Sequence, residues 1–311
     1  GTYDAILDDR PRDRWVAMWE TNRGCPFSCA FCDWGGATQS KVNRFGMERV
    51  LDEVRWFGEQ GVRFVFCCDA NFGMLPRDVE IAEAVVAEKR RSGAPTSLSV
   101  QNTKNATDRA YRVQTLIAQE LDTIGVTISL QSTSPDTLAA IRRSNISSES
   151  FGELQRRYSR DGVYTYTDLI LGLPGETYDA FADGVAEVIA GGQHNHVQFH
   201  DCSVLPNAAM GDPEYQRQFG LRTVPQVIRS IHDRAENVDE VPEYLDIVVE
   251  TDAMPAPDWV RARSFAWVAN AFYFNRLLQV PIAVLAARGG VSTRTLAGAV
   301  FEAPSPGLTW V

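Results

Sequence analysis

The sequence predicts an α/β fold: an open (β/α)6 partial TIM-like barrel with a mostly helical C-terminal extension. Two observations carry that expectation. From residue 15 to 202, short apolar, β-branched runs alternate with segments of helical spacing, giving six β/α units. After about residue 204, prolines at 206, 213, 225, 242, 255, 257 and 281 break the pattern and strand signals fade. Six units fall short of the closed eight-unit barrel. Sites in such sheets sit at the carboxyl ends of the strands.

The elements follow in order. Trp15 to Thr21 reads as a strand. Phe45 to Glu59 reads as a helix, with Met47, Val50, Leu51, Val54 and Phe57 on one face. Arg63 to Cys68 is a continuous apolar run, expected of a strand buried on both faces. Asp78 to Arg91 is helical, Ser97 to Gln101 a strand and Asp108 to Leu121 a helix. Val126 to Gln131 is a strand, followed by helices at Pro135 to Arg143 and Ser150 to Arg160. Thr165 to Leu171 is a strand, Tyr178 to Ile189 a helix and His196 to Cys202 a strand. Beyond them Tyr244 to Val249 reads as one further strand and Trp259 to Leu278 as an aromatic-rich helix. The expected domains are a barrel over 1–203 and an extension over 204–311, associated with the substrate.

Composition narrows the function classes. The chain has 311 residues, 44% hydrophobic and 23% charged, which excludes disordered, collagen-like and disulfide-scaffold classes. Its net charge of −10 argues against non-specific binding to nucleic acid or an anionic membrane. Residues 1–14 carry no apolar leader core. The apolar stretch Phe265 to Ala287 is interrupted by Asn270, Asn275, Arg276 and Pro281, as expected of buried helices and not of a membrane span.

Six cysteines stand at 25, 29, 32, 67, 68 and 202, and three of them crowd into eight positions. Cys25, Cys29 and Cys32 have C-x3-C-x2-C spacing on a loop just past the first strand. Three thiolates on one loop suit three irons of a cubane cluster, whereas a ferredoxin-type cluster needs a fourth cysteine. The fourth iron is then open to a ligand, as catalytic metal sites keep a position open. The blander readings are a zinc knuckle short of one ligand, or unrelated buried thiols.

With that spacing, and with Phe31 just before the last cysteine, the chain resembles the radical S-adenosylmethionine (SAM) superfamily over about residues 15–202. The resemblance implies a 4Fe–4S cluster whose unique iron is chelated by the amino and carboxylate groups of SAM. One-electron reduction then yields a 5′-deoxyadenosyl radical. It also implies a SAM cradle. Asp69, or a loop carbonyl near Asn71, is expected to accept from the methionine amino group. Gly172, with Leu171 covering the ring, is expected at the adenine. Gln131 suits the ribose and Arg143 the methionine carboxylate, with Gln101 a weaker candidate. The segment Gly172-Leu173-Pro174-Gly175-Glu176-Thr177 reads equally as a plain turn with Thr177 as helix cap.

From Cys25 through Phe72 the sequence is similar to cobalamin-dependent radical SAM methyltransferases of carbapenem antibiotic biosynthesis. That resemblance implies cobalamin as a further cofactor, with methylation of an unactivated sp3 carbon of a small molecule. Fourteen residues before the first strand are too few for a cobalamin domain, which needs well over ~100. Gly1 and the ending Leu308–Val311 therefore lead us to expect a fragment, with the cobalamin domain upstream. The other readings are a cobalamin-independent radical SAM enzyme, of methylthiotransferase or coproporphyrinogen-oxidase type, and a non-catalytic iron–sulfur protein. No side chain is assigned as general acid or base. Asp33 suits a cap, His194 and His196 lack a third metal ligand, and Trp34 suits either a cofactor face or the core. The aromatic extension is read as core more than as pocket floor. An oxygen-sensitive cluster implies a cytoplasmic location and a low-potential donor such as flavodoxin or ferredoxin.

Overall fold

The computed structural model describes residues 15–36, 38, 40–103, 108–228 and 242–302. Residues 1–14 and the ending Leu308–Val311, on which two expectations rested, lie outside them. The chain forms two compact units. One takes residues within 1–27, 37–129 and 145–166; the other takes 28–36, 130–144 and 167–311.

In the first unit, β1 (Val16–Trp19) is followed by the antiparallel pair β2 (Asn22–Arg23) and β3 (Asn43–Arg44). Next come α1 (Met47–Gln60), β4 (Phe64–Phe72), α2 (Asp78–Ser92), β5 (Ser97–Asn102) and α3 (Asp108–Glu120). β1, β4 and β5 form a parallel sheet in the order β1-β4-β5. Val50, Val54 and Phe57 on α1, and Ile81, Val85 and Val86 on α2, recur every three or four residues and are buried with Val65 and Cys67 of β4. Gly61 ends α1 in the left-handed conformation. Lys89, Arg90 and Arg91 close α2, where cations complement the helix dipole.

β4 runs four residues further than the expected strand and takes in Asp69, Ala70 and Asn71. These residues are therefore strand and not loop, with an irregular register between Cys67 and Phe72. The expected strand over 126–131 shrinks to β6 (Val126–Thr127). α4 (Pro135–Ala140) belongs to the second unit, and α5 (Ser148–Arg160) returns to the first. β7 (Thr165–Leu171) begins in the first unit, where Thr165 and Tyr166 pair in parallel with β6.

In the second unit the rest of β7 pairs in parallel with β8 (Val197–Asp201), and α6 (Tyr178–Ala190) connects them. Thr177 caps α6 by accepting from the Ala180 N–H at 3.1 Å. β9 (Ser203–Val204) leads into α7 (Pro213–Gln218), β10 (Arg222–Val227) and β11 (Tyr244–Glu250). β10, β11 and β9 form an antiparallel sheet in that order. The extension thus holds a sheet of which only β11 was anticipated. The long helix expected over 259–278 divides into α8 (Ala256–Val268) and a π-helical turn, Ala269–Phe274. α9 (Gln279–Gly289) and α10 (Thr293–Glu302) complete the unit. Among the described residues no single helix is long and apolar enough to cross a membrane, although Ala256–Phe274 and Gln279–Gly289 together form a bent pair of that length.

Candidate active site

In the first unit the site grows from the end of β4. Asn71 is buried, and its Nδ2 donates to the Cys25 Sγ at 3.1 Å. Its Oδ1 is buried without a hydrogen-bond partner among the described residues. Gly24 lets the chain reach Cys25: its φ is +109°, and a Cβ there would lie 2.1 Å from the Lys41 carbonyl oxygen. Asp69, fully buried, has a different task. Its carboxylate accepts from the Thr21 N–H (2.8 Å), the Thr21 hydroxyl, the Asn22 N–H (3.1 Å) and the Asn22 Nδ2 (2.6 Å). Four donors fill a carboxylate's acceptor sites. The side chain therefore ties β4 to the chain ahead of Cys25. Burial raises the Asp69 pKa, against those hydrogen bonds.

In the second unit Cys29 is buried and Cys32 half-buried, with the Cys32 N–H donating to the Cys29 carbonyl at 3.1 Å. The loop is held on both sides of Ala30. Its N–H donates to the Ile141 carbonyl (2.9 Å), and its carbonyl accepts from the Met210 N–H (2.8 Å). α4 ends in a Schellman turn: Arg142 is left-handed (φ +54°), and the Arg143 N–H donates to the Leu138 carbonyl at 2.9 Å. Arg143 is thereby turned inward, 7% exposed, with its side chain hydrogen-bonded to Cys29. Burial lowers its pKa, while Cys29, Asp168 and Cys32 oppose that.

Gln131 interrupts its strand because it too is left-handed (φ +68°). It still exchanges backbone bonds with β7, donating to the Asp168 carbonyl (2.9 Å) and accepting from the Ile170 N–H (2.8 Å). Its side-chain Oε1 is buried and without a partner among the described residues. Gly172 has φ +88°, and a Cβ there would lie 3.2 Å from both Trp259 Nε1 and the Val248 carbonyl oxygen. That indole N–H is also a buried donor without a described partner. Leu171 is fully buried on the face shared with Thr167 and Leu169, whereas Ile170, on the other face, is half-buried against the core of this unit. Phe31 packs on the core of this unit, whereas Trp34 is exposed and not core. In the first unit Gln101 is exposed at the end of β5.

Sequence reasoning missed two groups here. Glu176, 2% exposed, accepts from the Ser132 hydroxyl at 2.6 Å, and its Oε2 is buried without a described partner. Burial pushes its pKa up to about 8. Asp168 is within electrostatic reach of Arg143, and its Oδ1 lies 3.3 Å from His200 Nε2. His194 bonds the Tyr273 hydroxyl at 2.9 Å instead of pairing with His196 on a metal.

None of the six cysteines forms a disulfide. Among the described residues no three His, Cys, Asp or Glu groups gather on a single ion. A cubane cluster asks for a different pattern, with each thiolate on its own iron. The distant cysteines are poor donors for it. Burial pushes the Cys202 thiol up to about 12 and Cys67 well above the usual range, so both stay protonated.

Residues 19–187 match the radical SAM superfamily, and the chain belongs to that superfamily. It is 44% identical over 252 residues to the cobalamin-dependent radical SAM methyltransferase TokK of Streptomyces tokunonensis, covering 81% of this chain and 37% of that protein. It is 43% identical over 262 residues to the 2-(S-pantetheinyl)-carbapenam-3-carboxylate methyltransferase of Streptantibioticus cattleyicolor, covering 84% and 38%. The chain thus spans little more than a third of the length of these curated relatives. Among solved structures, the radical SAM methyltransferase TsrM of Kitasatospora setae, with cobalamin and a [4Fe-4S] cluster bound, shares its fold. The TM-score is 0.53 at 17% identity, over 67% of this chain and 39% of that one.

The superfamily implies a 4Fe–4S cluster and SAM, and the residues fit both. Cys25 and Cys29 each receive a side-chain hydrogen bond suited to a thiolate, from Asn71 and Arg143. The orphaned Oε1 of Gln131 and Nε1 of Trp259 are an acceptor and a donor that a polar ligand would satisfy.

Proposed function

We propose that this chain is the radical-generating core of a cobalamin-dependent radical SAM C-methyltransferase. Its substrate is a small, carbapenem-like molecule methylated at an unactivated sp3 carbon. The observation that carries this reading is 44% identity to a cobalamin-dependent radical SAM methyltransferase and 43% to a carbapenam-carboxylate methyltransferase, each over more than four fifths of the chain. When bound, the cluster, SAM and methylcobalamin supply the one-electron chemistry and the methyl group.

The chain's own residues hold and orient. Cys25, Cys29 and Cys32 carry three irons and leave the fourth to the SAM amino and carboxylate groups. Gln131 accepts from the ribose. Ile170 and the backbone at Gly172 flank the adenine. No side chain acts as general acid or base, because no side chain is basic enough to deprotonate such a carbon near neutral pH. Water is excluded instead. The parallel strands complete an open six-unit barrel over 1–203. Residues 204–311 serve the substrate, and cobalamin is held largely by residues outside this stretch. The protein works in the cytoplasm with flavodoxin or ferredoxin as donor.

The test uses the intact protein, purified without oxygen and with cobalamin supplied. Four irons and one cobalt per chain, with 5′-deoxyadenosine and a methylated carbapenem-type product by mass spectrometry, are expected. Four irons with no cobalt would instead favour the cobalamin-independent reading. That alternative draws on 27% identity over 177 residues to the uS12 methylthiotransferase RimO of Streptomyces avermitilis. Absence of iron would refute both.

A further inference from the structure

We propose that Arg143 is a positioning residue that sets the reduction potential of the cluster, by fixing a buried positive charge against the Cys29 thiolate. The proposal rests on the cluster reading above. Its geometry is independent of any ligand. The Ala30 N–H bonds the Ile141 carbonyl at 2.9 Å, so the residue after Cys29 is pinned to the residue two before Arg143. Between them Arg142 adopts a left-handed backbone that L-residues avoid, and this turn delivers Arg143 inward to 7% exposure. There its side chain bonds Cys29, and Asp168 and Cys32 are the other negative charges within electrostatic reach of it. Asp168 is engaged in turn by His200 Nε2 at 3.3 Å. The guanidinium is therefore bonded to a ligand thiolate and within electrostatic reach of a carboxylate.

One-electron reduction adds one negative charge to the cluster. A buried cation bonded to a ligand sulfur lowers the energy of that extra charge, and hydrogen bonds to sulfur raise the potential in the same direction. Asp168 opposes it. The two residues therefore move the potential with opposite signs, which a packing role would not do. Guanidinium carries five donors, so the bond to Cys29 leaves others for the carboxylate of SAM.

The test is an EPR-monitored redox titration of the full chain, reconstituted with ferrous iron and sulfide, with dithionite as reductant and no SAM. At a fixed poise, Arg143→Gln is expected to lower the ratio of reduced to oxidised cluster about tenfold, which is ~59 mV for a one-electron couple. Arg143→Lys keeps the charge and recovers most of that loss. Asp168→Asn raises the ratio. A wild-type potential in Arg143→Gln, or shifts of the same sign in Arg143→Gln and Asp168→Asn, would overturn the proposal. If Arg143→Gln takes up no cluster, Asp168→Asn decides alone: a raised ratio supports the proposal, and an unchanged or lowered one overturns it. A wild-type chain that takes up no iron overturns the cluster reading itself, before any variant is compared.

Discussion

Replacing Glu176 by glutamine is expected to stabilise the folded protein at neutral pH. Glu176 is 2% exposed, and its pKa rises from the usual 4.5 to about 8. The folded state therefore keeps a proton that the unfolded chain gives up above pH 4.5. Each pH unit from about 4.5 to about 8 then favours unfolding by ~1.4 kcal/mol, after which Glu176 ionises in the folded state too and the slope vanishes. By pH 7 the loss amounts to about 3 kcal/mol. Glutamine does not titrate. It can still accept from the Ser132 hydroxyl, but its NH2 meets the place where Oε2 has no described partner, at a cost of ~1–3 kcal/mol. The net expectation is a variant about 0–2 kcal/mol more stable at pH 7, and about equal or weaker near pH 5. Urea midpoints of both proteins at half-unit steps from pH 5 to 9 check this. A stability difference that stays constant across that range would refute the buried, protonated carboxyl.

Cys29→Ala is expected to lose both the iron–sulfur absorption band and cleavage of SAM, and full retention of either would sink the cluster assignment. Asp69→Ala leaves the donors of Thr21 and Asn22 without an acceptor inside the first unit, so the urea midpoint should fall by the equivalent of ~3–5 kcal/mol. An unchanged midpoint would show that water replaces the carboxylate. Gly172→Val adds backbone strain at φ +88° and crowds Trp259, at a cost of ~1–2 kcal/mol. It should weaken SAM binding in equilibrium dialysis while the cluster is retained; undiminished affinity would make the turn purely structural.

The parallel strands were legible because each is a short apolar run bounded by turn residues, and the helices because their buried faces repeat every three or four positions. The end of β4 was not. Asp69, Ala70 and Asn71 are poor strand formers, and bonds from Thr21 and Asn22, nearly fifty residues earlier in the chain, help to hold them extended. β10 was hidden by Pro225 and an almost wholly exposed pattern, both of which an edge strand tolerates. Within the site, the cysteine spacing was readable by itself. The neighbour of Arg143 was not, since it depends on a left-handed turn at an arginine, a conformation that residue type does not announce. Glu176 looked like part of a turn, and only the fold shows that it is sealed from water.

One residue joins the two sheets of the second unit. The Cys202 N–H donates to the Leu171 carbonyl of β7, and the Cys202 carbonyl accepts from the Val248 N–H of β11. Immediately after it, β9 pairs with β11. The antiparallel sheet is therefore spliced into the parallel one through a single peptide. A chimera that exchanges everything after residue 203 has to bring a strand whose backbone N–H meets the Cys202 carbonyl. Modular exchange of the C-terminal portion is therefore a question of strand register at Val248, whatever boundary composition suggests.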